Sequence, residues 1–203
     1  MGRARAAGAV GVLLVCAWTA SAISSTGSVQ GDYAPVPAIS VVPEAAPPLI
    51  SDEFVPQSEP TWIAIEPAVM AQTLLNPAGI RAVNGVVMPD DNRPVFRTDS
   101  NLPGTDSPGT SFIIGHNYAD LSGEVVPFSA LEKVAPGNSI ILGTPNGTLV
   151  YEVEQVLLVP KDEIALRTDL LVNIPGRLIL ETCDTTDEGL DTSDNLVVIA
   201  GLT

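Results

Sequence analysis

Between about residue 68 and the C-terminus, apolar residues come in short runs separated by turn-forming residues. The runs cover 80–88, 111–114, 139–142, 148–159, 177–182 and 195–202. They are rich in Val, Ile and Leu and are bounded by Gly, Pro, Asn or Asp, which predicts β-strands. Asn146-Gly147, lying between Ile140-Ile141-Leu142 and Leu149-Val150-Tyr151, predicts a tight hairpin, because a two-residue turn needs residues that tolerate positive φ. The same asparagine heads a formal glycosylation sequon with Thr148; the turn reading is preferred. The best short helix is Pro127-Phe128-Ser129-Ala130-Leu131-Glu132, with Pro136-Gly137 closing the turn after it. Many short strands, few helices and no internal repeat predict an all-β barrel or sandwich.

The N-terminal third follows other rules. Residues 1–23 carry Arg3 and Arg5, then an apolar run over 6–18, then Ala20-Ser21-Ala22. A positive start, an apolar middle and a small-residue exit predict a secretory signal peptide. The run is also about long enough for an uncleaved membrane anchor, which needs roughly 17–25 residues. Both readings predict an extracytoplasmic protein associated with the cell envelope, and the anchor reading adds a membrane contact. Val15 is a poor neighbour for lipidation of Cys16. Residues 24–66 hold Asp32, Glu44, Asp52, Glu53, Glu59 and Glu66, no Lys or Arg, and recurrent prolines. Like charges repel and proline favours extended backbone, so this segment is expected to be a stalk. Trp62-Ile63-Ala64-Ile65 at its end is apolar enough to pack on a folded domain instead. The domain itself is assigned to 67–203.

Charge and composition then narrow the chemistry. Lys and Arg number 9 against 24 Asp and Glu, for a net charge of −15. Such a chain is not expected to bind nucleic acid or an anionic surface through charge. The 45% hydrophobic content argues against wholesale disorder. There are two cysteines and one histidine. If the export segment accounts for Cys16, Cys183 is left without an internal partner, either as a reactive group or as a small buried one. It follows Arg177-Leu178-Ile179-Leu180-Glu181-Thr182, at a strand end. His116 also sits where a strand, Ser111-Phe112-Ile113-Ile114-Gly115, gives way to loop. An imidazole beside a thiol lowers its pKa or takes its proton, which makes cysteine a nucleophile. No zinc-type spacing, phosphate-binding glycine loop or Gly-x-Ser-x-Gly turn occurs, so no metal or cofactor is expected.

These two strand ends resemble the sortases. Pro108-Gly109-Thr110-Ser111-Phe112-Ile113-Ile114-Gly115-His116 is similar to the strand and histidine of that family, and Leu178-Ile179-Leu180-Glu181-Thr182-Cys183-Asp184 to its nucleophile strand. The intervening helix, the Pro136-Gly137-Asn138-Ser139-Ile140 strand entry, the opening Asn76-Pro77-Ala78-Gly79-Ile80 and the closing Asp194-Asn195-Leu196-Val197-Val198-Ile199-Ala200 follow the family's order. The form is most like the smaller, single-domain actinobacterial classes. The resemblance implies a closed eight-stranded β-barrel and a cysteine transpeptidase. Cys183 would cleave a Leu-Pro-x-Thr-Gly-like sorting signal of surface proteins through a thioacyl intermediate, with His116 as acid and base. The acceptor would be an amine of peptidoglycan or of a pilin lysine. Thr182, Asn117 and Tyr118 would contact substrate.

One position departs from the family. Sortases carry an arginine at the start of the last strand, where alignment puts Asn195, and no Lys or Arg follows Arg177. The loop instead holds Glu181, Asp184, Asp187, Glu188, Asp191 and Asp194. Nearby carboxylates raise a thiol's pKa, and loss of one oxyanion donor typically costs about 10²–10³ in rate. Three readings stay open: Asn195 donates a neutral hydrogen bond, Arg97 or Arg167 reaches in, or the barrel is a weakly active or inactive module that binds peptides or partners at the envelope. The acids over 184–194 also suggest a Ca²⁺ loop, although they lack EF-hand alternation.

Overall fold

The computed structural model describes residues 54–83, 86–118, 125–186 and 188–203. The segment read as signal or anchor, and most of the stalk, lie outside the described residues.

The strands are β1 (Trp62–Glu66), β2 (Met70–Leu74), β3 (Ile80–Val83), β4 (Val86–Pro89), β5 (Val95–Phe96), β6 (Ser111–Ile114), β7 (Ser139–Thr144), β8 (Gly147–Pro160), β9 (Arg177–Thr185) and β10 (Asp191–Leu202). A 3-10 helix, Pro127–Lys133, precedes β7; a second short one, Ile164–Leu166, and the single-turn α1 (Thr168–Leu171) lie between β8 and β9. Eight strands form one curled sheet in the order β2-β1-β7-β8-β10-β9-β6-β5, and β3 and β4 form a separate ribbon. Every neighbour in the large sheet is antiparallel except β6 and β9.

The sheet departs from the expected closed barrel: it is a half-barrel. Its edge strands β2 and β5 do not pair as a ladder. Just beyond β2, the Asn76 backbone N–H donates to the Pro94 carbonyl just before β5, at 2.8 Å. Proline has no N–H to extend such a ladder, and β5 is two residues long.

Alternation along the strands sorts side chains onto two faces. The concave face is filled by Ile63, Ile65, Ile140, Leu142, Tyr151, Leu178, Leu180, Val198 and their neighbours, capped by Phe128 and Leu131 of the 3-10 helix. On the other face Phe112, Val159, Ile179, Val197 and Ile199 pack under Ile164 and Leu170 from the β8–β9 connection. Hence β6, β9 and the second half of β10 are buried on both sides, as a parallel pair usually is. Arg177 fastens the covering connection to the sheet. Its guanidinium donates to Thr110 Oγ1 (2.9 Å) and to the carbonyls of Asp169 (2.8 Å), Leu170 (2.8 Å) and Val172.

Three local expectations shift. The apolar run 80–88 is a hairpin, β3 pairing with β4, rather than one strand. The β7–β8 hairpin forms, but Thr144 pairs with Gly147, so the turn centres on Pro145-Asn146, one residue early. Proline holds φ near −65° and excludes a primed turn there; Gly147 instead supplies the positive φ, at 148°. The third shift concerns Trp62-Ile63-Ala64-Ile65, which belongs to the sheet as β1, between β2 and β7. Ile63 and Ile65 are fully buried. The residues before β1 are tied down as well. Val55 N–H donates to Thr105 Oγ1 (3.1 Å), Gln57 N–H to Asp106 Oδ1 (2.7 Å), and Asn146 Nδ2 to the Pro56 carbonyl (3.1 Å).

A protein beginning at residue 54 is therefore expected to unfold cooperatively, whereas one beginning at 67 loses β1 and bares the edge of β7. Removing each buried Ile side chain alone typically costs about 2–5 kcal/mol. The check is urea unfolding followed by circular dichroism: equal midpoints for the two lengths would show that β1 is dispensable.

Candidate active site

The parallel pairing of β6 with β9 sets the site. Ile114 is level with Glu181, and the Gly115 N–H donates to the Glu181 carbonyl (3.0 Å), carrying the ladder one residue further. His116 follows at the start of the loop, and Cys183 lies two residues beyond Glu181 on β9. On the other side of β9, Cys183 pairs in register with Asn195 of β10. Cysteine and asparagine thus sit side by side on neighbouring strands, which lie about 4.8 Å apart, and the histidine follows just past the end of β6 on the other side of β9.

Gly115 shows how tightly the histidine is set. A Cβ there would lie 2.5 Å from the ring of Phe128, which is buried in the core. The glycine lets β6 run over that ring and release His116 at its edge. His116 is half-buried, and its ring centroid lies 5.6 Å from that of Tyr118. Burial pushes its pKa below the ordinary value; a hydrogen bond to the Pro89 carbonyl and the negative charge of Asp91 oppose the shift. The Tyr118 hydroxyl donates to Asn92 Oδ1, so the 89–92 loop covers the imidazole from two sides.

Cys183 is buried. The one other cysteine of the chain, Cys16, lies outside the described residues. Glu181, two residues earlier and on the same face, is 3% exposed and accepts from Asn195 Nδ2 at 2.7 Å. Asn195 is 2% exposed, and its Oδ1 has no hydrogen-bond partner among the described residues.

The residues expected to touch substrate divide. Thr182 is buried and its Oγ1 donates to the Gly115 carbonyl (3.0 Å). Asn117, 8% exposed, turns its Nδ2 toward Glu132 Oε1 (2.7 Å), the Cys183 carbonyl (2.9 Å) and Thr185 Oγ1 (3.3 Å). Of the three, Tyr118 stands beside the imidazole at the partly exposed rim.

The two arginines considered as charge donors are held locally. Arg97 forms a two-pronged pair with Asp99 (2.9 and 2.6 Å) and lies 5.5 Å from the Phe112 ring centroid. Phe112 is level with Ile179, four residues or about 13 Å of strand before Cys183. Arg167 makes the same kind of pair with Asp169 (2.8 and 2.7 Å). Lys161, which the sequence did not single out, comes nearer to the start of β10. Its Nζ meets Asp191 Oδ1 and the Thr192 carbonyl, both at 2.6 Å. Only the β8–β10 register reveals it, since 30 residues separate the pair. Asp184 accepts from Thr192 Oγ1 (2.9 Å), Asp187 lies outside the described residues, and no group of three or more His, Cys, Asp or Glu converges on a metal position among the described residues.

A family model, described as a sortase domain, matches residues 67–203. The chain belongs to the sortase family. Among solved structures, sortase A from Corynebacterium diphtheriae superposes with a TM-score of 0.51 at 21% identity, over 73% of this chain and 62% of that one. The complex of Streptococcus agalactiae sortase C1 and MTSET gives 0.52 at 18%, over 70% and 68%. Sortase C-1 from Actinomyces oris gives 0.50 at 21%, over 71% and 75%. At these identities the likeness is one of fold, and the match to the first spans less than two thirds of that protein's length. No curated protein matches the sequence.

With a single histidine in the chain, the imidazole of this sortase can be titrated by NMR without assignment. Its midpoint is expected below the ordinary ~6.5. Asp91→Asn removes a charge that favours the imidazolium, so the midpoint should fall further; a rise would show that Asp91 does not face His116. The linked stability follows in sign. The unfolded chain binds this proton more readily, so stability falls as pH drops from the ordinary value through the folded one.

Proposed function

We propose that this sortase is a cysteine transpeptidase acting outside the cytoplasm on sorting-signal peptides of the Leu-Pro-x-Thr-Gly type. The observation that carries the reading is the parallel pairing of Ile114 with Glu181, from which His116 and Cys183 each follow two residues on, with Cys183 in register with Asn195 of β10. Cys183 Sγ attacks the threonine carbonyl carbon. The C–S bond forms, the C–N bond to glycine breaks, and His116 gives the departing amine its proton. An amine from peptidoglycan or a pilin lysine then attacks the thioester, loses a proton to His116 and releases the thiol. Water in the same place gives hydrolysis.

Asn195 is in register with Cys183, and its Nδ2 bears a second hydrogen besides the one given to Glu181. We assign it neutral stabilisation of the tetrahedral oxyanion, with Tyr118 at the rim where the peptide enters. The N-terminal segment would hold the domain at the envelope as a signal-derived or membrane anchor. No helix among the described residues is long and apolar enough to cross a membrane.

A second reading is favoured by one observation: Arg97 and Arg167 are each engaged by an aspartate two residues away. A site whose candidate arginines, among the described residues, are held elsewhere suits a weakly active or inactive module that binds such peptides or partners.

Reduced protein incubated with a Leu-Pro-x-Thr-Gly peptide is expected to gain the mass of the acyl fragment on Cys183, and with triglycine to yield the transpeptidated product. Cys183→Ala should abolish both. His116→Ala should lower the rate about 10²–10⁴-fold, and Asn195→Ala about 10²–10³-fold, as for one oxyanion donor. No adduct on the reduced wild type, with peptide binding intact and unchanged in Cys183→Ala, would establish the second reading instead.

A further inference from the structure

The residues flanking the histidine and the cysteine hold each other's backbones. Thr182, just before the cysteine, donates from Oγ1 to the carbonyl of Gly115, just before the histidine. Asn117, just after the histidine, donates from Nδ2 to the carbonyl of Cys183 itself. The exchange is reciprocal, and its second half is braced from outside the two strands. Glu132, in the 3-10 helix, accepts at one oxygen from both Asn117 Nδ2 (2.7 Å) and Thr185 Oγ1 (2.6 Å), while Thr185 Oγ1 lies 3.3 Å from Asn117 Nδ2. Asn117 is 8% exposed, so its N–H groups have no bulk water as an alternative partner.

We propose that Asn117 is a positioning residue for the His116–Cys183 pair, with Glu132 and Thr185 as the brace that aims its amide at the Cys183 carbonyl. This rests on the transpeptidase reading for its consequence in rate, though not for its consequence in geometry. The chain leaves the strand ladder after Gly115, and Asn117 then hydrogen-bonds back to β9. Were the amide lost, the imidazole would drift from the sulfur. A displacement of about 1 Å can cost on the order of 10² in rate, and a thiol that loses an adjacent imidazolium regains a more ordinary pKa. The side-chain oxygen of Glu132 is what the amide needs, so glutamine in its place, still offering an oxygen, should serve where alanine does not.

The test uses the full-length, reduced protein and two readouts. The first is the pH dependence of Cys183 alkylation by iodoacetamide; the second is kcat and KM for a Leu-Pro-x-Thr-Gly peptide. Asn117→Ala, Glu132→Ala and Thr185→Val are expected to shift the alkylation midpoint upward and to lower kcat about 10–10²-fold, with KM within twofold. Glu132→Gln should recover most of the loss, and thermal midpoints should not track the kinetic order. If the three variants alkylate with the wild-type midpoint, the proposal is overturned. If Asn117→Ala does not fold, Glu132→Ala and Thr185→Val, both altered toward the surface, carry the same two outcomes. A wild type without turnover would sink the transpeptidase reading alone, because the alkylation profile still decides the positioning role.

Discussion

The parallel pairing of β6 with β9 is the constraint from which the rest follows. Antiparallel neighbours bring the end of one strand beside the beginning of the other. A parallel pair brings two C-terminal ends together, and here those ends carry the chain's one histidine and the cysteine of the domain. Parallel strands need a long crossover, which in this chain comprises the 3-10 helix, β7, β8 and the connection through α1. Each part of that excursion returns to the pair. The 3-10 helix places Phe128 under Gly115, β8 supports β10 beside β9, and the connection is buttoned down over the opposite face by Arg177. The fold is arranged around the ladder that aligns the two strand ends.

Electrostatics distinguish this site more than its fold does. Acids outnumber bases over the chain as a whole, and the cations weighed as charge donors are tied to particular carboxylates: Lys161 to Asp191, Arg97 to Asp99, Arg167 to Asp169. The carboxyl of Glu181 has the amide of Asn195 against it. Burial of the imidazole lowers its pKa and the charge of Asp91 works in the other direction. On the transpeptidase reading, what the site would offer a developing oxyanion is dipoles, which in a buried setting can be effective when they are fixed in advance. Fixing them is the task of the hydrogen bonds between Asn195 and Glu181, and between Asn117 and Cys183.

The sequence revealed those parts whose signal is local. Residues 111–114, 177–182 and 195–202 read as strands because both faces are apolar, and they are strands. His116 does follow the end of β6, but Cys183, expected to end its strand, is buried within β9, which runs on to Thr185 because its pairing with β10 continues past the apolar run. β1 was obscured because its apolar core, Ile63 and Ile65, follows an acidic, proline-rich approach that resembles a stalk until Val55 and Gln57 are seen bound to the 103–106 loop. The hairpin turn slipped by one residue because Pro145 overrides the Asn-Gly preference. The open seam was invisible because it depends on how far a curled sheet closes, and here closure ends in one backbone hydrogen bond. Glu132 and Thr185 gave no signal: they meet Asn117 across 15 and 68 residues, and polar residues in turns are common.

That open seam explains why the histidine must be held from the cysteine side. β6 has two flanks. Toward the seam it pairs with β5 through only Val95 and Phe96, beyond which the sheet ends. Toward the core it has the β9 ladder, the Gly115 N–H to Glu181, the Thr182 hydroxyl and the Asn117 amide. Free energy to hold a strand comes from burial and from hydrogen bonds that water cannot replace, and both are concentrated on the β9 flank. A fluctuation at the seam therefore moves β5 and the 89–94 loop more readily than it moves His116 relative to Cys183. The distance that matters for chemistry is set by the stronger flank, and the weaker one faces the side where the loop that tunes the imidazole attaches.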